Sequence, residues 1–158
     1  MIIHARVDER LIHGQVAMVW TNTVGATRIA VVNDHAVSDE IVISALKISK
    51  PAGVKLSILS KIRAVEKFKA GEYDDDKVFL ITKNIEDMAY LVENKLEIKL
   101  VNVGNISKRE GSVNIKKTVN VTPDDVTHIY AMLEAGVEVT AQMIPNESSQ
   151  SITNILPK

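Results

Sequence analysis

The segment Ala5-Arg6-Val7-Asp8-Glu9-Arg10-Leu11-Ile12-His13-Gly14-Gln15-Val16 packs two arginines, two acids and one histidine into eight positions. That set suits phosphoryl chemistry. A neutral imidazole is a competent nucleophile, and histidine's unperturbed pKa of ~6.5 leaves it mostly neutral near pH 7. Arg10 precedes His13 by three residues and carries a permanently charged planar fork matched to phosphate oxygens. Arg6 offers a second fork. Asp8 can anchor an arginine or hold the other imidazole nitrogen. Val16, Val19 and Trp20 recur at helical spacing, which predicts a helix over Gln15–Thr23. His13 then lies at or just before a helix N-terminus, where free N–H groups and the positive dipole end favour anions. Gly14 lets the backbone approach a ligand with no Cβ in the way. Gly14 and Gln15 join Arg6 as candidate phosphate contacts. Such donors can share the charge of the equatorial oxygens during in-line transfer. The competing reading is an ordinary loop histidine beside a solvated ion-pair cluster worth under ~1 kcal/mol.

The position of this segment depends on the elements around it. Ile2–Val7, Arg28–Asn33, Val54–Leu59, Val78–Thr82, Ile98–Val103, Thr118–Val121 and Val137–Gln142 read as strands. Most are nearly continuous in Val, Ile and Leu, as in strands buried on both faces. Amphipathic stretches lie between them. Asn84 and Ser60 are placed to cap two of these helices. Thr122-Pro123-Asp124-Asp125 is a stronger start signal, with a Thr cap, Pro at the first helical position and acids in the first turn. Gly71 and Gly136 stand where helices should stop. The alternation predicts an α/β fold: a single domain, residues 1–158, with an open, mostly parallel β-sheet of about seven strands and helices on both faces. Gly104–Lys117 is the exception, read as a loop or loose hairpin of functional length. Ligands of such sheets bind beyond the carboxyl ends of the strands, so the loops beginning near residues 8, 34, 60, 83 and 104 are the places to search. The first is much the richest.

Composition narrows the classes. The chain has 158 residues, 46% hydrophobic, which is enough for one filled core. Nineteen basic against 20 acidic residues argue against a dedicated nucleic-acid binder and against an acidic disordered chain. The absence of cysteine removes disulfides, zinc–thiolate sites, iron–sulfur clusters and thiol catalysis. No apolar run approaches the ~20 residues that span a bilayer. Charged residues at positions 6, 8, 9 and 10 interrupt any signal-peptide core, so a soluble, cytoplasmic chain is expected.

The Arg6–Val16 segment resembles the signature of the IIB component of the mannose/fructose/sorbose family of the bacterial phosphoenolpyruvate:sugar phosphotransferase system. The similarity runs nearly the whole chain. Val31-Val32-Asn33-Asp34, Val101-Asn102-Val103-Gly104, Lys117-Thr118-Val119-Asn120-Val121 and Gly136-Val137-Glu138-Val139 follow in the family's order. The resemblance implies a phosphocarrier, a protein-Nπ-phosphohistidine–sugar phosphotransferase. Such a protein accepts a phosphoryl group on a histidine from phosphorylated IIA. It then passes the group to sugar entering through the IIC/IID membrane subunits. The phosphohistidine maps onto His13, with phosphate on the δ (pros) nitrogen, and the loop arginine maps onto Arg10. No metal or organic cofactor is implied, and the location implied is cytoplasmic, at the membrane transport complex. Two positions depart from the family pattern. Val42 stands where members often carry an arginine, for which Arg6, Lys47 or Lys83 are candidate substitutes. Asn105 replaces a second glycine after Asn-Val-Gly.

Other residues carry weaker signals. Asp34 and His35 end the second strand and either face the same edge as His13 or form a turn before a helix. Lys83 either adds positive charge to the site or is an exposed residue beside a helix cap. His4 and His128 read as structural, and no histidine pair has metal-ligand spacing. Trp20 reads as core or as a partner-facing anchor, and Gly104 as a backbone-geometry residue. Monomer and homodimer are both compatible with the composition. A receiver-like domain would need an acid at the end of strand three, where Ser57-Ile58-Leu59-Ser60 has none. A nucleotide-binding module would need a Gly-rich phosphate loop, and none is present. No motif positively supports a non-catalytic interaction domain.

Overall fold

The apolar runs form strands β1 (Ile2–Asp8), β2 (Arg28–Val32), β3 (Lys55–Leu59), β4 (Val78–Thr82) and β5 (Leu100–Asn105). Hairpin strands β6 (Val113–Lys116) and β7 (Val119–Val121) follow, then β8 (Glu138–Ala141) and β9 (Gln150–Ser151). The helices are α1 (Gly14–Val24), α2 (Glu40–Ser49), α3 (Lys61–Lys69), α4 (Ile85–Glu93) and α5 (Pro123–Glu134). This computed structural model describes residues 1–157.

The main sheet has seven strands in the order β3-β2-β4-β1-β5-β8-β9, parallel except for the last pair. Strand β4 is buried at every residue because it has neighbours on both sides and helices over both faces. Two apolar layers flank the sheet. Trp20 from α1 and Leu46 from α2 pack with Ile29, Val31, Phe79 and Ile81 on one face. Met88, Leu91, Ile129 and Met132 from α4 and α5 pack with Ala5, Val7, Leu80 and Val103 on the other. The single α/β domain with helices on both faces is therefore as the sequence predicts.

The membership of the sheet is not. The predicted strand Thr118–Val121 leaves it and pairs with β6 in a separate antiparallel ribbon, so Gly104–Lys117 is in part a true hairpin. The seventh place goes to β9, which binds β8 through Ala141 and Thr140. Its two residues are polar and exposed, so no apolar run announces it.

Local signals set the helix ends. Thr122 Oγ1 accepts from Asp125 N at 3.2 Å and Asp125 Oδ2 accepts from Thr122 N at 3.0 Å, a complete capping box. Ser60 and Asn84 cap α3 and α4 as expected. Asp39 caps α2 by accepting from Ile41 N and Val42 N.

The chain leaves β1 for α1 on one face and leaves β5 for the hairpin and α5 on the other. The sheet therefore parts between β1 and β5, the switch point where open α/β sheets bind ligands.

Candidate active site

Strand β1 ends at this opening. Its last inward side chain, Asp8, is 1% exposed and would be untenable there without cations. Three sets of donors satisfy it. Arg10 donates Nε to Oδ1 at 3.0 Å and Nη2 to Oδ2 at 2.9 Å. The Arg10 backbone N also donates to Oδ1 at 3.0 Å, which closes the loop into a tight turn. Arg6 reaches the same Oδ2 from below, with Nη2 at 3.2 Å. One carboxylate thus holds two guanidinium groups. The trio carries a net positive charge.

Arg6 itself is 2% exposed. Its Nη1 donates to Asn102 Oδ1 at 2.5 Å and to the Gln142 carbonyl at 3.0 Å. Burial pulls its pKa below the usual arginine value, the Asp8 charge opposes this, and the guanidinium stays cationic. The Trp20 ring lies 5.5 Å from the Arg6 guanidinium carbon and stacks on His4 at 4.5 Å. Burial first, and then the Arg6 charge, push the His4 pKa down to about 4, so that ring is neutral. His4 is structural, as expected, and Trp20 is core, with its Nε1 donating to Met143 O at 2.8 Å.

Above this hub the loop rises to solvent. Arg10 keeps 25% of its side chain exposed, and its Nη1 has no partner among the described residues. Leu11 takes φ 61, a strained left-handed conformation for a branched side chain, and is held there by burial at 7% exposure. His13 is exposed and occupies the N-cap of α1 with extended φ and ψ, but its ring makes no capping bond. Gly14, at φ 43, opens the helix with open space where a Cβ would stand. Gln15 is exposed in the first turn. An exposed imidazole, the first amides of an eleven-residue helix and a half-free guanidinium therefore lie within five residues, Arg10 to Gly14.

The remaining candidates separate. Arg6 is turned inward, away from the exposed loop: it is 2% exposed and its Nε, Nη1 and Nη2 all donate to Asp8, Asn102 or Gln142. Asp8 anchors the arginines and makes no hydrogen bond to the His13 ring. Asp34, two strands away, accepts from Lys61 N at 2.9 Å at the start of α3. His35 is a turn residue whose Nε2 lies 3.0 Å from Asp39 Oδ2. Lys83, one strand away, is exposed and makes no ion pair among the described residues. Val42 packs at the margin of the α1–α2 core, and Lys47 lines a groove against the edge strand β3. Of the three substitutes for the family arginine, Arg6 is thus already committed and Lys47 belongs to the far edge.

Three participants have no local signal. Asn102 stands 96 residues from its partner Arg6, and the Gln142 carbonyl 136 residues. Glu9 accepts from Ser107 N and Oγ, both at 3.0 Å, which ties the site loop to the segment leading into the hairpin.

The model of the PTS system sorbose subfamily IIB component matches residues 2–158. The chain belongs to this family. The sorbose-specific EIIB component of Klebsiella pneumoniae is 32% identical over 154 residues, covering 98% of this chain and 92% of that one. The crystal structure of the IIBSor domain of the Klebsiella pneumoniae sorbose permease superposes with a TM-score of 0.93 at 30% identity, covering 98% and 94% of the two chains. The N-acetylgalactosamine-specific IIB component 1 of Escherichia coli gives 0.92 at 30% identity, covering 99% and 100%. As a sorbose-type IIB component, the chain is a phosphotransferase, a phosphocarrier of a sugar phosphotransferase system. None of its helices among the described residues is long and apolar enough to cross a membrane.

Proposed function

We propose that His13 is the residue that carries the phosphoryl group. The observation behind this reading is its exposed, uncapped ring at the N-terminus of α1, three residues after an arginine fixed by Asp8. The lone pair of His13 Nδ1 attacks the phosphorus of phosphorylated IIA. As the new P–N bond forms, the donor's bond breaks and its electron pair returns to the donor. The Arg10 fork and the first amides of α1 offer donors to the equatorial oxygens. Gly14 presents backbone there with no side chain in the way, and Gln15 follows it in the exposed first turn. In the second half, a sugar hydroxyl oxygen attacks the phosphorus, the His13 P–N bond breaks with its electron pair returning to Nδ1, and the hydroxyl proton is released to solvent. The sugar arrives through the IIC/IID membrane subunits, which place this step at the cytoplasmic side of the membrane complex. Neither half requires a metal or an organic cofactor.

The test is direct. Phosphoenolpyruvate, the general phosphotransfer proteins and cognate IIA should put acid-labile phosphate on His13, located by mass spectrometry. His13→Ala should abolish the label and change stability by no more than about 0.5 kcal/mol, because the side chain is exposed and makes no hydrogen bond. Full labelling of the Ala variant would defeat the assignment.

A further inference from the structure

Gly104 in β5 does not have a positive φ, so backbone freedom does not explain it. Space does. A Cβ built on Gly104 would land on the Arg6 guanidinium, on its central carbon and both terminal nitrogens, far inside the 3.0 Å that real Cβ contacts respect. The guanidinium therefore lies flat against the bare β5 backbone. Asn102, two residues earlier on the same strand, takes one of its terminal nitrogens, and the Gln142 carbonyl takes the same nitrogen from the other side. The remaining donors, Nε and Nη2, are thereby aimed at Asp8 Oδ2. Asp8 in turn holds the Nε, Nη2 and backbone N of Arg10. A chain of contacts runs without a gap from Gly104 and Asn102, through Arg6 and Asp8, to the exposed Arg10.

We propose that Gly104 and Asn102 are positioning residues for phosphoryl transfer: they seat Arg6, which fixes Asp8 and through it the fork of Arg10 beside His13. Neither residue is exposed to a partner, since Asn102 is 1% exposed and Gly104 is buried under Arg6. Their effect is on rate and not on docking. A side chain at position 104 must displace Arg6, and Asp8 then shifts with the cation that balances it. The inference rests on the reading of His13 as phosphoryl acceptor.

Gly104→Ala tests it, with Asn102→Ala as the second variant should the first fold poorly. Expected for each is a fall of about 10-fold or more in the maximal rate of His13 phosphorylation at an unchanged KM for phosphorylated IIA. The Arg10 Nε–H resonance, which Asp8 shields from exchange, should shift and exchange faster with solvent. Arg6→Lys alone should give a similar loss. Gly104→Ala added to Arg6→Lys should cost much less than it does in the wild type, because both changes act through one guanidinium. Wild-type rate with an unmoved Arg10 signal overturns the positioning role and leaves His13 as acceptor. Fully additive losses, or a raised KM with unchanged maximal rate, also overturn it. A wild-type protein that takes no label on His13 removes the underlying reading, and that outcome is visible before any variant is made.

Discussion

Asp8 grips Arg10 three times, at 3.0 Å from Nε, 2.9 Å from Nη2 and 3.0 Å from the backbone N. The acid at the end of β1 thereby sets the direction of a side chain that would otherwise sample many rotamers. Side-chain freedom lost in the fold need not be lost again when phosphate arrives, which is the physical meaning of preorganisation. Asp8→Asn removes the charge that balances two guanidinium groups and turns one acceptor into a donor. Breaking a buried pair in this way costs about 3–5 kcal/mol. Thermal or urea unfolding should show that loss, and phosphorylation of His13 should slow by more than about 100-fold.

Arg10→Lys separates charge from geometry. The ammonium keeps the positive charge but cannot make the planar, two-point contact with Asp8 while also facing a phosphoryl group. Expected is a transfer rate lower by about 10- to 100-fold, with a change in unfolding free energy of no more than about 1 kcal/mol. A rapid-quench assay of labelled His13 measures the first and urea unfolding the second. A lysine variant with wild-type rate would show that charge alone is sufficient.

The loop carries strain at Leu11, whose φ of 61 is sustained by burying its side chain. Leu11→Gly relieves the backbone but forfeits the apolar contact, worth about 2–3 kcal/mol, and loosens the turn. The variant should be less stable on balance, by about 1–3 kcal/mol in urea unfolding. Its His13 should label more slowly because Arg10 is less well fixed.

His4 makes a prediction about pH. Its folded pKa of about 4 lies below the ordinary histidine value of 6.5, so between the two the unfolded chain binds a proton that the folded chain refuses. Stability is therefore complete above that value, falls as the pH drops towards 4, and levels off below it. The total is on the order of 3 kcal/mol by the usual conversion of pKa shifts. His4→Phe keeps the stack on Trp20, removes the partnerless buried Nε2, and should flatten this limb of the pH–stability curve. Denaturant midpoints at pH 7 and pH 4.5 suffice to check it. An equal drop in both proteins would assign the acid limb to carboxylates such as Asp76, whose contacts with Arg28 and Lys55 hold its pKa below the usual range.

These experiments also mark what could be read from the sequence. Thr122, Ser60 and Asn84 declared their helices because a cap and its target amides are three residues apart. His13 and Arg10 are legible as the proposed site because the end of β1 and the start of α1 lie in one short stretch. The inward setting of Arg6 is not legible locally, because its type suggests an exposed phosphate ligand whereas its partners Asn102 and Gln142 lie on segments that only tertiary folding brings near. Gly104 reads as a backbone-geometry residue for the same reason, since the side chain it makes room for is 98 residues earlier. The hairpin strand β7, Val119-Asn120-Val121, is as fully buried as a sheet strand, and nothing local tells which sheet it will join.

The chain has a single tryptophan, and it lies face to face with His4, within reach of Arg6 and pinned by its indole N–H to Met143. Every photon this protein emits on excitation at indole wavelengths comes from directly beneath the loop that bears His13. With His13 as the proposed acceptor, gain and loss of its dianion should register in that emission in real time, with no dye, tag or radioisotope.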